Sequence, residues 1–273
     1  MLGAQRVGHA GTLDPDATGL LILLINGATR VASYAADGSK VYSGEMRLGV
    51  RTSTDDISGV VLETSDQIPD WSAVLEAVKG QSGSIKQVPP SVSAIKVDGK
   101  RAYRMHRQGQ EFELVARDVE VLRFEATPSS DRATFGYVVE CSPGTYIRSL
   151  ARDIGTTLGC GGTVLSIRRE ASGYFDVRDA VTLEQVSWEQ VRDWSELIPS
   201  VPRLALPDSV VESLYNGMNV GLHRAWDVWS ASGGQSPSGL VVFHRHGAPA
   251  SLGILRIEPD RGFTFEINIK PLS

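Results

Sequence analysis

The stretch Thr134–Cys141, TFGYVVEC, has an apolar residue at every second position from Phe135 to Cys141. This period of two is typical of a strand with one buried face, formed here by Phe135, Tyr137, Val139 and Cys141. The stretch that follows, SPGTYIRSLARDIGTTLG, begins with the turn residues Pro143 and Gly144. The two stretches together predict a strand, a turn and then a further element.

For the residues after this turn, the sequence predicts first an extended segment and then a helix. Thr145–Arg148 is expected to continue extended, which would place Tyr146 and Arg148 on the same face of a strand. Apolar residues then recur at helical spacing (Leu150, Ile154 and Leu158) and predict a helix that ends at Gly159.

Similar patterns lie on the N-terminal side. Val41–Leu48 alternates, and Leu20–Ile25 is a short apolar run that suits a buried strand. Asp70 precedes a helical pattern that ends at Gly80 and has an apolar face of Trp71, Val74, Leu75 and Val78. Helices and a sheet are therefore expected to be mixed in an α+β body. On the C-terminal side, Thr182–Gln185 matches a capping box, which predicts a further helix start.

The C-terminal part of the chain has a different character. Three short strand patterns, Leu240–His244, Leu252–Glu258 and Phe263–Ile269, follow a Ser/Gly-rich stretch at Ser230–Gly239 that is expected to be a flexible loop. Several short strands separated by turns predict a small β-barrel module.

Composition places the protein among globular chains. It has 273 residues, of which 41% are apolar and 22% charged, so wholesale disorder is excluded. Its longest apolar run is Leu20–Ile25, far below the roughly 20 residues of a membrane span. The two cysteines, Cys141 and Cys160, suit a reducing cytosol, and we expect a cytoplasmic protein without a metal site.

Charge is unevenly distributed along the chain. The formal net charge is −5, yet Lys86–Arg107 contains six bases and a single acid, Asp98. A local basic stretch can bind phosphates whatever the global charge. The alternative interpretation is a solvated loop and helix surface.

Residues with possible chemistry lie in three places. In GHAGTLDP, Gly8–Pro15, Asp14 is either an exposed catalytic carboxylate or the N-cap of a helix that begins at Pro15. The pair Tyr146 and Arg148 offers a site for a flat polar base near a carboxylate, unless Tyr146 only packs. Tyr42 is either a core aromatic or a part of the same site.

Five collinear stretches resemble motifs of the tRNA pseudouridine synthase B family. They are RVGHAGTLDPDATG (Arg6–Gly19), VPPSVSAIK (Val88–Lys96) with GKRAY (Gly99–Tyr103), GTYIRSLARDIG (Gly144–Gly155), IRR (Ile167–Arg169) and AVTLEQV (Ala180–Val186). The resemblance implies a catalytic domain at 1–186 with a mixed, mainly antiparallel sheet and helices. It further implies a linker at 187–203 and a PUA-like RNA-binding barrel at 204–273.

The resemblance also implies roles for individual residues. Asp14 falls on the essential aspartate and Arg148 on the arginine that pairs with it. Substrate-binding positions of the family fall on His9, Tyr42, Tyr146 and Ile167, the last of which replaces a leucine. The basic residues expected to contact the RNA backbone are Lys96, Lys100, Arg101 and Arg104.

The implied reaction converts the T-loop uridine of tRNA, at position 55, to pseudouridine. Base and ribose never leave the pocket, so no ATP, redox cofactor or metal is expected. The carboxylate can attack C6 or C1′ of the nucleotide, or take a proton from C2′, and the sequence leaves these routes open. The expected partner is the T-arm of tRNA, bound by a monomer.

One departure concerns the start of the chain. Family members carry an apolar strand and a Lys-Pro-x-Gly-x-Thr/Ser motif before the signature, and we expect in-frame codons upstream of Met1 to encode them. The alternative function is a catalytically impaired tRNA-binding or tRNA-folding module. A guide-RNA-directed relative fits the short β tail poorly, and a hydrolase would need a G-x-S-x-G elbow that the sequence lacks.

Overall fold

The computed structural model describes residues 2–36, 38–93, 95–97, 99–110, 112–234, 239–248, 250–258 and 261–269. These residues form two compact units. The terminal unit consists of Met1–Thr12, Leu21–Ala36 and Val181–Ser273, and the central unit of Leu13–Leu20 and Asp37–Ala180. The expected boundaries at residues 186 and 204 stay a prediction.

Strands and short helices alternate along the chain. The strands are β1 (Val7–Ala10), β2 (Thr18–Gly19), β3 (Ile22–Ile25), β4 (Lys40–Leu48), β5 (Val50–Thr52), β6 (Val61–Thr64), β7 (Gly83–Gln87), β8 (Lys96–Val97), β9 (Lys100–Arg101), β10 (Arg117–Pro128), β11 (Thr134–Cys141), β12 (Gly162–Ser172), β13 (Phe175–Asp176), β14 (Arg203–Leu206), β15 (Gly239–Arg245), β16 (Ser251–Glu258) and β17 (Gly262–Asn268). The α-helices are α1 (Ala32–Ala36), α2 (Trp71–Lys79), α3 (Ala102–Arg107), α4 (Ile147–Thr157), α5 (Asp208–Tyr215) and α6 (Asn219–Ala231). Short 3-10 helices cover Asn26–Val31, Val177–Asp179, Trp188–Gln190 and Trp194–Leu197.

The central unit is built on one sheet with the strand order β13-β12-β4-β11-β10-β7. These neighbours pair antiparallel, while the short strand β2 adds to β12 in parallel. The predicted α+β class with a mixed, mainly antiparallel sheet is thereby confirmed for this unit. The alternating stretches Val41–Leu48 and Thr134–Cys141 are the adjacent strands β4 and β11.

Helices α2 and α4 supply the apolar side chains that share a core with this sheet. Its fully buried members include Val139 of β11 and Leu150 and Ile154 of α4. Each such side chain stabilises the fold by roughly 1.5–3 kcal/mol relative to exposure. Leu75 of α2, predicted on the buried face, is instead 43% exposed. The carboxylate of Asp70 accepts a hydrogen bond from Arg132 at 2.7 Å and does not cap α2.

The extended conformation predicted for Thr145–Arg148 is wrong from Ile147 onward. Tyr146 is still extended, with φ −103° and ψ 115°, but it is the N-cap of α4, and Arg148 lies in the first helical turn. The reason is that Ile147 extends the apolar face of the helix toward its N-terminus, because it lies three residues before Leu150 and is buried with it. Tyr146 and Arg148 therefore do not share a strand face.

In the terminal unit, β1 and β3 form an antiparallel pair, and a second sheet has the order β14-β15-β16-β17. The three predicted C-terminal strands are β15, β16 and β17. Helices α5 and α6 pack on this sheet and were not predicted; buried Val211 and Leu214 of α5 share its core with Phe243 and Leu255. Within the described residues, this sheet is open and does not close into the predicted barrel.

Two local predictions for the terminal unit also differ from the structure. Thr182 opens only a turn, whereas a capping box forms at Ser187 and Gln190 around a 3-10 helix. The predicted loop at Ser230–Gly239 overlaps the end of α6, and its residues 235–238 lie outside the described part of the chain. Among the helices that the structure describes, none has the length and apolar character needed to span a membrane.

Candidate active site

The segment that carries Asp14 is fastened to strand β12. Thr18 and Gly19 pair with Arg168 and Arg169. Two hydrogen bonds of 2.8 Å follow: the Leu20 amide donates to the Arg169 carbonyl, and the Arg169 Nε donates to the Leu20 carbonyl. Gly19, at φ +94°, passes so close that a Cβ would lie 2.3 Å from the Arg169 carbonyl oxygen. The loop is held firmly, and no helix begins at Asp14, so its N-cap interpretation is wrong.

Asp14 and Arg148 form a two-pronged ion pair. The Nε and Nη2 of Arg148 donate to the two carboxylate oxygens of Asp14, each at 2.8 Å. The arginine side chain is only 4% exposed, whereas that of Asp14 is 37% exposed. A planar guanidinium matches an ionised carboxylate in this way and fixes its orientation. The carboxylate thus faces solvent while its position is set from behind.

Further acceptors surround the guanidinium of Arg148. Its Nη1 and Nη2 donate to the carbonyls of Thr54 and Val92, each at 3.0 Å, and Nη1 lies 3.4 Å from Asp56. Since a buried charge is costly unless it is paired and hydrogen-bonded, these partners explain how the arginine is tolerated. Asp56 was not among the site residues predicted from the sequence.

A second arginine sits one helical turn further along α4. Arg152 contacts Asp55 and Asp153, each at 2.9 Å. Asp55 has a left-handed backbone, φ +60°, so that it and Asp56 reach different arginines. Burial raises the pKa of Asp55, and the charge of Arg152 counteracts this. The adjacent pair Asp55-Asp56 and the spacing of Arg148 and Arg152 were the signals that could have revealed this network.

Tyr42 lies in β4 opposite Arg169 of β12 and Val139 of β11. Its ring is half-buried and packs against the central core. Burial raises the pKa of its hydroxyl, the charge and hydrogen bond of Arg169 lower it, and the charge of Asp14 raises it. Tyr42 therefore packs as a core aromatic and also feels the charge of the carboxylate.

Tyr146 is held through its backbone. Its amide donates to Oε1 of Gln87 at 2.8 Å, and its carbonyl accepts from Nε2 of Gln87 at 3.1 Å. Burial raises the pKa of the Tyr146 hydroxyl, Arg117 lowers it, and Asp14 raises it. Both predicted tyrosines thus lie within electrostatic reach of Asp14.

Ile167 lies in β12 opposite Gly44, half-buried beside Tyr42 in the central core. His9 is exposed in β1 of the terminal unit, in register with Leu23. The structure therefore brings Asp14, Arg148, Tyr42, Tyr146 and Ile167 into the central unit, and His9 is described within the terminal unit alone.

The predicted RNA-backbone residues lie in and after the short antiparallel pair of β8 and β9. Lys100 and Arg104 are exposed, and the Nε of Arg104 donates to the hydroxyl of Tyr103 at 3.2 Å. The side chains of Lys96 and Arg101 lie outside the described part of the structure. Among described residues, no cluster of three or more His, Cys, Asp or Glu side chains could hold a metal ion.

Two family models match the sequence of this chain. The model described as TruB family pseudouridylate synthase (N terminal domain) matches residues 1–147, and that of the tRNA pseudouridylate synthase B C-terminal domain matches residues 148–199.

Individual relatives are also similar. The tRNA pseudouridine synthase B of Dinoroseobacter shibae is 43% identical over 235 residues, which cover 82% of this chain and 76% of that protein. The protein of the same name from Brucella anthropi is 44% identical over 201 residues, which cover 73% of this chain and 60% of that protein.

Among solved structures, a chain of a Cbf5-Nop10-Gar1 complex superposes with a TM-score of 0.62 at 19% identity, covering 98% of this chain and 76% of that one. That likeness concerns the fold. The match of a family model to more than half of the sequence, together with relatives above 40% identity, leads to one conclusion: the chain belongs to the TruB family of pseudouridylate synthases.

Proposed function

We propose that this protein isomerises the T-loop uridine of tRNA, at position 55, to pseudouridine. The observation that carries the proposal is the exposed Asp14 carboxylate, which accepts two hydrogen bonds from the buried guanidinium of Arg148. Family membership and the names of the relatives support tRNA uridine as the substrate class.

The reaction is balanced within the nucleotide. The N1–C1′ bond breaks, the uracil rotates, a C1′–C5 bond forms, and the proton on C5 is lost while N1 gains one. Asp14 supplies the carboxylate for attack on C6 or C1′, or for removal of the C2′ proton. Each route requires a carboxylate of fixed orientation, and the two hydrogen bonds from Arg148 set that orientation.

The tyrosines and Ile167 supply a place for the base. Extruding a uridine from a folded loop costs a few kcal/mol, and stacking on an aromatic ring returns about 1–3 kcal/mol per base. Tyr42 stacks on the uracil, Tyr146 forms the second aromatic wall, and Ile167 lines the pocket. His9 supports the extruded conformation.

Binding of the tRNA body belongs to other parts of the chain. Lys96, Lys100, Arg101 and Arg104 contact phosphates of the T-arm, and the sheet β14–β17 with α5 and α6 acts as a PUA-like RNA-binding module. The enzyme works as a monomer in the cytoplasm, where its tRNA substrate is found.

The test is tritium release from tRNA that carries uridine labelled at C5. Wild-type protein should release tritium, while Asp14→Asn should retain less than about one per cent of the rate and bind tRNA within roughly tenfold. Asp16→Asn, an exposed carboxylate on the same loop, should stay close to wild type. Equal loss in both variants, or substantial turnover by Asp14→Asn, would contradict the assignment.

The impaired-module alternative makes the opposite prediction for the wild type, which would bind tRNA and release no tritium. The complete Asp14–Arg148 pair speaks against that alternative, because a merely RNA-binding protein has no need of a buried arginine that orients an exposed carboxylate.

A further inference from the structure

Gln87, the last residue of β7, is a buried polar side chain that the mechanism above does not use. It is 1% exposed, and both ends of its amide bond to a single residue, Tyr146. Buried amides must be hydrogen-bonded to be tolerated. Here the side-chain amide both donates to and accepts from the backbone of Tyr146, as the backbone of a paired residue on a neighbouring strand would.

The bonded residue lies at a critical point of the backbone. Tyr146 is the extended N-cap of α4, and its carbonyl also accepts the helical bond from the Leu150 amide at 3.2 Å. Gln87 therefore fixes the peptide groups on both sides of the Tyr146 side chain. It acts where the chain changes from extended to helical, two residues before Arg148.

We propose that Gln87 is a positioning residue for the reaction: its amide sets the Tyr146 backbone so that the Tyr146 ring and Arg148 meet the substrate base and Asp14 in register. This inference rests on the proposed function.

Neighbouring contacts make this role separable from general stability. The Val88 carbonyl accepts from the hydroxyl of Ser149 at 2.8 Å and from Nη2 of Arg152 at 2.7 Å. The Val92 carbonyl accepts from Arg148. The segment after Gln87 thus stays attached to α4 without the amide, so its loss should disturb Tyr146 locally.

The experiment measures single-turnover pseudouridine formation by the full chain at saturating tRNA, together with tRNA affinity and thermal unfolding. Gln87→Met keeps the length of the side chain and removes both hydrogen bonds. Its matched control is Gln67→Met, at an exposed glutamine of the same unit. We expect Gln87→Met to lower the rate on the order of 10²-fold, with tRNA affinity within about threefold and the control unchanged.

A second variant tests the bonds themselves. Gln87→Glu keeps an acceptor for the Tyr146 amide, but its carboxylate repels the Tyr146 carbonyl, and protonation restores a donor. As the pH is lowered from about 8 to about 5.5, the rate of this variant relative to wild type at the same pH should therefore rise. A purely structural role would not produce this recovery.

The outcomes separate the two proposals. A folded Gln87→Met that reacts as fast as wild type at saturating tRNA overturns the positioning role. If that variant does not fold, a Gln87→Glu rate ratio that is independent of pH overturns it. A wild type that makes no pseudouridine overturns the proposed function instead.

Discussion

At the scale of single residues, the site depends on polar groups whose positions are fixed by other polar groups. Arg148 orients Asp14 and is itself held by two carbonyls and Asp56. Arg169 links the loop of Asp14 to strand β12 through Leu20. Both members of the Asp14–Arg148 pair are therefore held in place by other groups, as the proposed site requires if it is to be preorganised before substrate arrives.

Tyrosine ionisation gives a test at this scale. Burial raises the pKa of Tyr137, whose hydroxyl donates to the Ser166 carbonyl at 3.0 Å, and burial likewise raises the pKa values of Tyr42 and Tyr146. At alkaline pH values at which the unfolded chain loses these protons, the hydroxyls of the folded protein keep them. Their contribution to stability is complete below about pH 10 and is lost as the pH rises further.

Absorbance titration at alkaline pH should therefore show a delayed fraction among the seven tyrosines, and the free energy of unfolding should fall above about pH 10. Tyr137→Phe should remove one tyrosine from the delayed fraction. Simultaneous titration of all tyrosines in the folded protein would contradict the burial of these hydroxyls.

At the scale of elements, α4 has two functions, because its buried face closes the core while its N-terminus carries Arg148. Leu150 is fully buried there, whereas Leu75 of α2 is 43% exposed. We expect Leu150→Ala to lower the free energy of unfolding by about 2–5 kcal/mol. Leu75→Ala should cost about 1 kcal/mol or less. Urea unfolding measures both, and equal losses would show that the two leucines are packed alike.

The elements also show what the sequence could and could not predict. Alternation identified β4 and β11, because one face of each strand packs on the core. The same reasoning failed from Ile147 onward, where a helix begins, since an extended N-cap such as Tyr146 resembles the end of a strand. Asp56 was missed because its partner, Arg148, is distant in sequence and only the fold brings them together.

At the scale of the whole molecule, the proposed function requires an acidic protein to bind an acidic polymer. We propose that local basic patches, such as that of Lys100, Arg101 and Arg104, provide this binding despite the net charge of −5. Each phosphate contact contributes about −0.9 to the slope of log affinity against log salt concentration for duplex nucleic acid. Replacing these three residues by Gln should therefore weaken tRNA binding and reduce the slope by about 2–3.

The control replaces three exposed arginines that are paired with acids, Arg51, Arg123 and Arg132. That variant has the same net charge as the first, so a nonspecific charge effect would change both slopes equally. We expect the slope of the control to stay close to that of wild type. If the slope of the first variant is also unchanged, its three residues belong to a solvated surface.

The terminal unit is built from segments that lie far apart in the sequence, and this affects its folding during synthesis. Tyr34 bonds to Glu266, and Arg30 bonds to the carbonyl of Asn268, across more than two hundred positions. A ribosome produces residues 21–36 long before their partners, and residues 37–180 emerge in between. The early segment must wait in an unfinished state while the central unit assembles. Such delayed, long-range closure slows folding and prolongs exposure of apolar strands, so we expect the nascent chain to be prone to aggregation until residues 266–268 have been made.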